Sequence, residues 1–127
     1  MQLKYKLESE IDGEKNTIIE TKYVDYIEST DGKFINIEFV DDKLMKCVLK
    51  ASLDEIRVSY SNQNLNMIKN TYIRNQFKLS EKEVFELEVY LINVHIDSQI
   101  ITFTYDFLQN KNIIVRNTAS FIIKESK

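Results

Sequence analysis

Apolar side chains recur at every second position through most of this chain, and that period belongs to a β-strand with one covered face. Leu3, Tyr5 and Leu7 share one side, with Lys4, Lys6 and Glu8 opposite. The same pattern returns in Ile35, Ile37 and Phe39, in Met45, Cys47 and Leu49, and in Ile56, Val58 and Tyr60. It returns again in Phe85, Leu87, Val89 and Leu91, and in Ile101, Phe103, Tyr105 and Phe107. One-sided alternation means antiparallel strands with one face buried and one wet.

Turns fall where the alternation breaks. Asp12-Gly13, Asp31-Gly32, Asp41-Asp42, Asp97-Ser98 and Asn110-Lys111-Asn112 separate the apolar runs. The chain has no Pro and only two Gly, so Asn and Asp must supply most reversals, being the side chains that best tolerate the left-handed region. Parity changes at Tyr23–Val24 and at Leu91–Ile92, where a β-bulge would re-aim the strand. Residues 61–78 are polar and Asn-rich, which predicts weak strands or a mobile connection. Ser80 with Glu83 fits a helix capping box, but the period-two run from Phe85 favours a strand. The result is eight to ten short-linked strands in one domain over residues 1–127. A meandering antiparallel barrel is the first expectation and a two-sheet sandwich the second, because both protect strand edges.

Order within that pattern resembles the YwiB-like family of small bacterial proteins, over nearly the whole length. The resemblance is carried by Asn16-Thr-Ile-Ile-Glu-Thr, Asp31-Gly-Lys-Phe-Ile-Asn-Ile-Glu-Phe, Phe85-Glu-Leu-Glu-Val-Tyr and Ile101-Thr-Phe-Thr-Tyr-Asp-Phe. It implies a calycin-like (lipocalin-like) β-barrel and no activity, since none is assigned to the family. The family pattern has a Thr-Pro-x-Gly turn before the Phe85 strand, where this chain has Ser80-Glu81-Lys82-Glu83.

Composition narrows function mostly by exclusion. Net charge is −3, the signs are mixed along the chain, and Arg57, Arg74 and Arg116 are the only arginines. A nucleic-acid partner is therefore not expected, for want of a basic stripe. No apolar run approaches the roughly 18 residues of a membrane helix. The N-terminus alternates charged and apolar residues, unlike a signal peptide, so a cytoplasmic location is expected. Cys47 is the only cysteine, which rules out an internal disulfide, and its apolar neighbours predict a buried, inert thiol.

No residue pattern announces catalysis. His95 is the only His, with Asp97 beside it, and reads as a surface residue; no spaced His, Cys or carboxylate cluster suggests a metal. A phosphate-binding Gly loop and a nucleophile elbow are both missing. We therefore expect a non-enzyme without cofactor or metal. The residues worth following are Tyr60, Tyr72, Arg74, Tyr105 and Arg116. Large apolar residues share a face with Tyr60 and Tyr105, so these rings should point inward with hydroxyls needing partners. Placed at a barrel mouth, the five would suit a small apolar or amphiphilic ligand with an anionic head. The alternative is a filled barrel acting as a structural or protein-interaction module, which the bulk of the inward set favours.

Overall fold

The computed structural model describes residues 1–61, 63–78 and 82–124. Among them are twelve antiparallel strands in two sheets. In chain order they are β1 (Gln2–Ile11), β2 (Glu14–Glu20), β3 (Val24–Asp25), β4 (Ile27–Asp31), β5 (Phe34–Val40) and β6 (Lys46–Ala51). Then come β7 (Glu55–Tyr60), β8 (Gln63–Ile68), β9 (Tyr72–Lys78), β10 (Val84–Ile96), β11 (Ile100–Gln109) and β12 (Asn112–Lys124). One sheet has the order β2-β1-β12-β11-β10-β9, with β3 added beside β1, and the other runs β4-β5-β6-β7-β8. The first sheet crosses over once, to pair the N-terminal β1 with the C-terminal β12 from Gln2↔Lys124 to Glu10↔Arg116.

The expected closed barrel is thus not found among the described residues; pairing stops at two sheets, the arrangement ranked second. Side chains bridge where ladders do not. At the β8–β9 corner, the buried Asn75 accepts from the Asn66 N–H (2.9 Å) and donates to the Asn66 carbonyl (3.1 Å). Its amide therefore stands in for a neighbouring strand, pairing backbone groups that an edge strand would leave open. Within the first sheet, between β2 and β3, Thr21 exchanges two bonds with the Tyr5 backbone of β1, through its own N–H (2.9 Å) and its Oγ1 (2.9 Å). The next residue, Lys22, donates its N–H to Asp42 of the β5–β6 turn (3.1 Å).

Local chemistry explains most strand ends. Asp12 and Gly13 both take positive φ (53° and 83°), as do Asn110 and Lys111 (53° and 67°), which suits two-residue hairpins whose twist matches the strands. Leu44 also sits at positive φ (64°), held by Asp41, whose Oδ1 accepts the N–H groups of Lys43 (2.8 Å) and Met45 (2.9 Å). The parity change at Leu91 is a bulge: Leu91 faces Tyr105 and Asn93 faces Thr104, leaving Ile92 extra. At Tyr23–Val24 the ladder to β1 is also irregular: β2 ends at Glu20 opposite Lys6 and β3 resumes at Val24 opposite Leu3, so three residues stand opposite two, the extra residue a bulge requires. Residues 63–68 and 72–78, expected to be weakly structured, form β8 and β9; tertiary pairing overrides their polarity. Ser80 of the capping box lies outside the described residues, and β10 opens at Val84, directly after Glu83.

The core lies between the sheets. Leu3, Tyr5, Phe103, Ala119 and Phe121 from the first face Ile37, Phe39, Leu49, Ile56 and Met67 from the second. Tyr5 stacks on Phe121 with centroids 4.6 Å apart, and Phe39 of the other sheet meets both rings edge-on at 6.5 and 6.2 Å. Each such aromatic contributes about 1.5–3 kcal/mol through burial. Cys47 is buried in the same core.

Candidate functional site: an apolar cavity between the sheets

Register places the inward residues of β1, β12 and β11 in rows across the first sheet. Tyr5, Phe121 and Ile101 form one row; Leu7, Ala119 and Phe103 form the next; Ser9, Asn117 and Tyr105 form the third. Along β12 the inward side chain drops from phenyl to methyl and then to a short amide, both smaller than the ring, while along β1 it falls to a serine. The opposing sheet does not fill the difference. A cavity of about 310 Å³ results, lined also by Leu65 and Tyr60 of the second sheet. Ile18, 57% exposed, stands at its wall and links it to solvent. The volume falls at the lower end of the roughly 300–1,000 Å³ of small-molecule sites.

No ionisable acid, base or histidine lines this space; its polar groups are Ser9, Gln63, Asn117 and the three phenols of Tyr5, Tyr60 and Tyr105. Burial pushes the Tyr105 hydroxyl well above the ordinary phenol range. Tyr5 is raised first by burial and then by the nearby Tyr105, Cys47 and Tyr60. All three phenols are therefore neutral donors at physiological pH. Tyr60 has a partner: its hydroxyl donates a short hydrogen bond to Asp41. Burial alone would raise the Asp41 carboxyl, yet it is held below its usual value by that hydroxyl and by the N–H groups of Met45 and Lys43. Tyr60 is correspondingly raised by burial and by Asp41.

Asn117 is 3% exposed and only half satisfied. The Ser9 hydroxyl donates to its Oδ1 (2.6 Å), whereas its Nδ2 is buried without a hydrogen-bond partner. The opposite amide orientation would leave the Ser9 proton without the acceptor it now has. Buried donors of this kind are rare, and each is worth explaining.

The five residues singled out in the sequence do not form one site. Tyr60 and Tyr105 line the cavity as expected. Tyr72, Arg74 and Arg116 lie on the outer face of the first sheet. Tyr72, 60% exposed, packs on Tyr90 (4.6 Å between centroids), and Arg74 is exposed opposite Glu88. Arg116 makes a bidentate pair with the buried Asp106, at 2.8 and 3.1 Å. Tyr72, Tyr90, Asp106 and Arg116 are in fact one cross-strand row. Period two predicts this: Arg116 neighbours inward Asn117 and must point away. The anionic-head expectation loses its arginines for that reason.

Sequence reasoning missed Tyr5, Ser9, Asn117 and Ala119. The available signal was polar or small residues at inward parity, interrupting an otherwise apolar alternation. His95 does not line this cavity; its Nε2 meets Asp97 (2.8 Å), which also accepts the N–H groups of Gln99 and Ile100 at the β10–β11 turn. Burial, with the nearby Asp41, pushes the Cys47 thiol up to about 12, which leaves it unreactive as a nucleophile.

Comparison with solved structures gives one decisive likeness. The fold is that of the YwiB protein from Bacillus subtilis. Its crystal structure superposes with a TM-score of 0.66 at 15% identity, covering 98% of this chain and 91% of that one. At such identity the likeness speaks for the fold alone. No protein-family model matches the chain, and no curated protein matches it. Among the described residues no helix is long and apolar enough to cross a membrane.

Proposed function

We propose that this protein is a binding module that takes a small, largely apolar ligand into the end cavity between its sheets. The carrying observation is the 310 Å³ space walled by aromatic and aliphatic side chains from both sheets, with a few convergent polar groups. We further read the two sheets as an opened, calycin-like barrel. That reading is supported by the Asn75–Asn66 and Lys22–Asp42 hydrogen bonds, which join the two sheets at places where ladder pairing stops. Catalysis is not part of the proposal. The lone buried thiol suits a reducing compartment, and we place the protein in the cytoplasm.

Titration with an environment-sensitive apolar fluorophore tests the reading, using wild type and Ala119→Leu. Ala119 lies at the cavity wall, and a larger side chain there takes up the space a ligand needs. Saturable binding to wild type that weakens at least tenfold in Ala119→Leu, with the β circular-dichroism spectrum kept, supports a cavity ligand. Equal binding by both would place the fluorophore elsewhere and overturn the proposal. The filled-module alternative predicts no saturable binding to either protein.

A further inference from the structure

The chemistry of the cavity wall goes further than its volume. The wall carries hydrogen-bond donors that lack acceptors and carries no charge of either sign. Asn117 Nδ2 is buried without a partner, and Tyr105, its register partner on β11, makes no hydrogen bond to another described residue. A buried amide N–H without a partner thus lines the same apolar space as the phenols of Tyr105 and Tyr5. An unpaired buried donor lowers stability, so a bound acceptor would gain more than it would in water.

An anion is the wrong guest. No Lys, Arg or His lines the cavity, and Asp41, a carboxylate, lies directly behind Tyr60. Moving a charged group into an apolar space without a counter-charge is strongly unfavourable. We propose that Asn117 and Tyr105 form a donor pair for a neutral acceptor, a ketone, ester or amide carbonyl on an otherwise apolar ligand. This rests on the cavity reading above and specifies its guest. At roughly 30 Å³ per water volume the space holds about ten waters, so the ligand is on the order of ten heavy atoms.

Three isosteric probes separate the possibilities: benzylacetone (a ketone), isopentylbenzene (the hydrocarbon) and hydrocinnamate (the carboxylate). Each is titrated by calorimetry into wild type, Asn117→Leu and Tyr105→Phe. Tyr105→Phe keeps the ring and is the variant most certain to fold. The proposal expects benzylacetone to weaken roughly tenfold in each variant, while isopentylbenzene binds equally or more tightly. Hydrocinnamate should bind wild type more weakly than the ketone does. Ketone and hydrocarbon changing in parallel would overturn the donor pair and leave the apolar cavity standing. Hydrocinnamate binding tightest would overturn the neutral guest. No binding of any probe to folded wild type would remove the cavity reading along with it.

Discussion

Asn75 gives the sharpest test of how the two sheets are joined. Its side chain makes three bonds: it accepts from Asn66 N–H (2.9 Å) and donates to the carbonyls of Asn66 (3.1 Å) and Ile73 (3.3 Å). Two of these cross from an edge strand of one sheet to an edge strand of the other. A neutral hydrogen bond contributes about 1 kcal/mol net, and the longest of the three less. Asn66 is exposed, so water can take over its backbone groups once the amide is gone. Asn75→Ala should therefore cost roughly 2 kcal/mol, near the upper half of ordinary point mutations. For a domain of this size that corresponds to a melting point lower by about 6–10 °C.

Urea unfolding followed by circular dichroism measures the free energy, and hydrogen exchange of the Asn66 amide reads the bond itself. Asn64→Ala, exposed on the same strand, is the control and should stay within about 0.5 kcal/mol of wild type. A loss below about 0.5 kcal/mol for Asn75→Ala, with Asn66 as protected as before, would refute the bridging role. A loss of the expected size with unchanged Asn66 exchange would place the cost in packing instead.

Other perturbations separate the remaining parts. Asp41 has a folded-state pKa below its unfolded value of about 3.9, so the unfolded chain binds the proton first. Its stabilisation is present above about pH 4 and is lost as pH falls through the folded value; Asp41→Asn should flatten acid unfolding in that window, and an unchanged profile would contradict it. Cys47, buried with its thiol raised to about 12, should resist Ellman's reagent in the native state and react at the rate of unfolding; prompt reaction would contradict its burial. Phe121→Ala removes a fully buried ring stacked on Tyr5 and should cost about 3–5 kcal/mol by denaturant titration, whereas a loss under 1 kcal/mol would mean the core is not packed as described. Arg116→Ala breaks the pair with Asp106 on the outer face and should leave fluorophore binding unchanged; a tenfold loss there would reconnect Arg116 with the site.

The alternation of Leu3-Tyr5-Leu7 and Phe103-Tyr105-Phe107 determined by itself that the chain makes antiparallel strands and which side chains point inward. That holds because side-chain direction along a strand is a local property of the backbone. Turn positions were equally legible at Asp12-Gly13 and Asn110-Lys111, where few residues tolerate positive φ. Even the separation of Arg116 from Tyr105 was implicit in parity, though a list of polar and aromatic residues concealed it. Tertiary structure alone decided the rest. Whether strands close into one barrel or stop as two sheets depends on the corner at Asn75 and Asn66, nine residues apart, where a side-chain amide replaces a ladder. The cavity exists because Ala119 and Ser9, ordinary residues in their own strands, come beside Tyr105 and opposite Leu65. An inward row is fixed locally, but the space in front of it depends on what another sheet brings to face it.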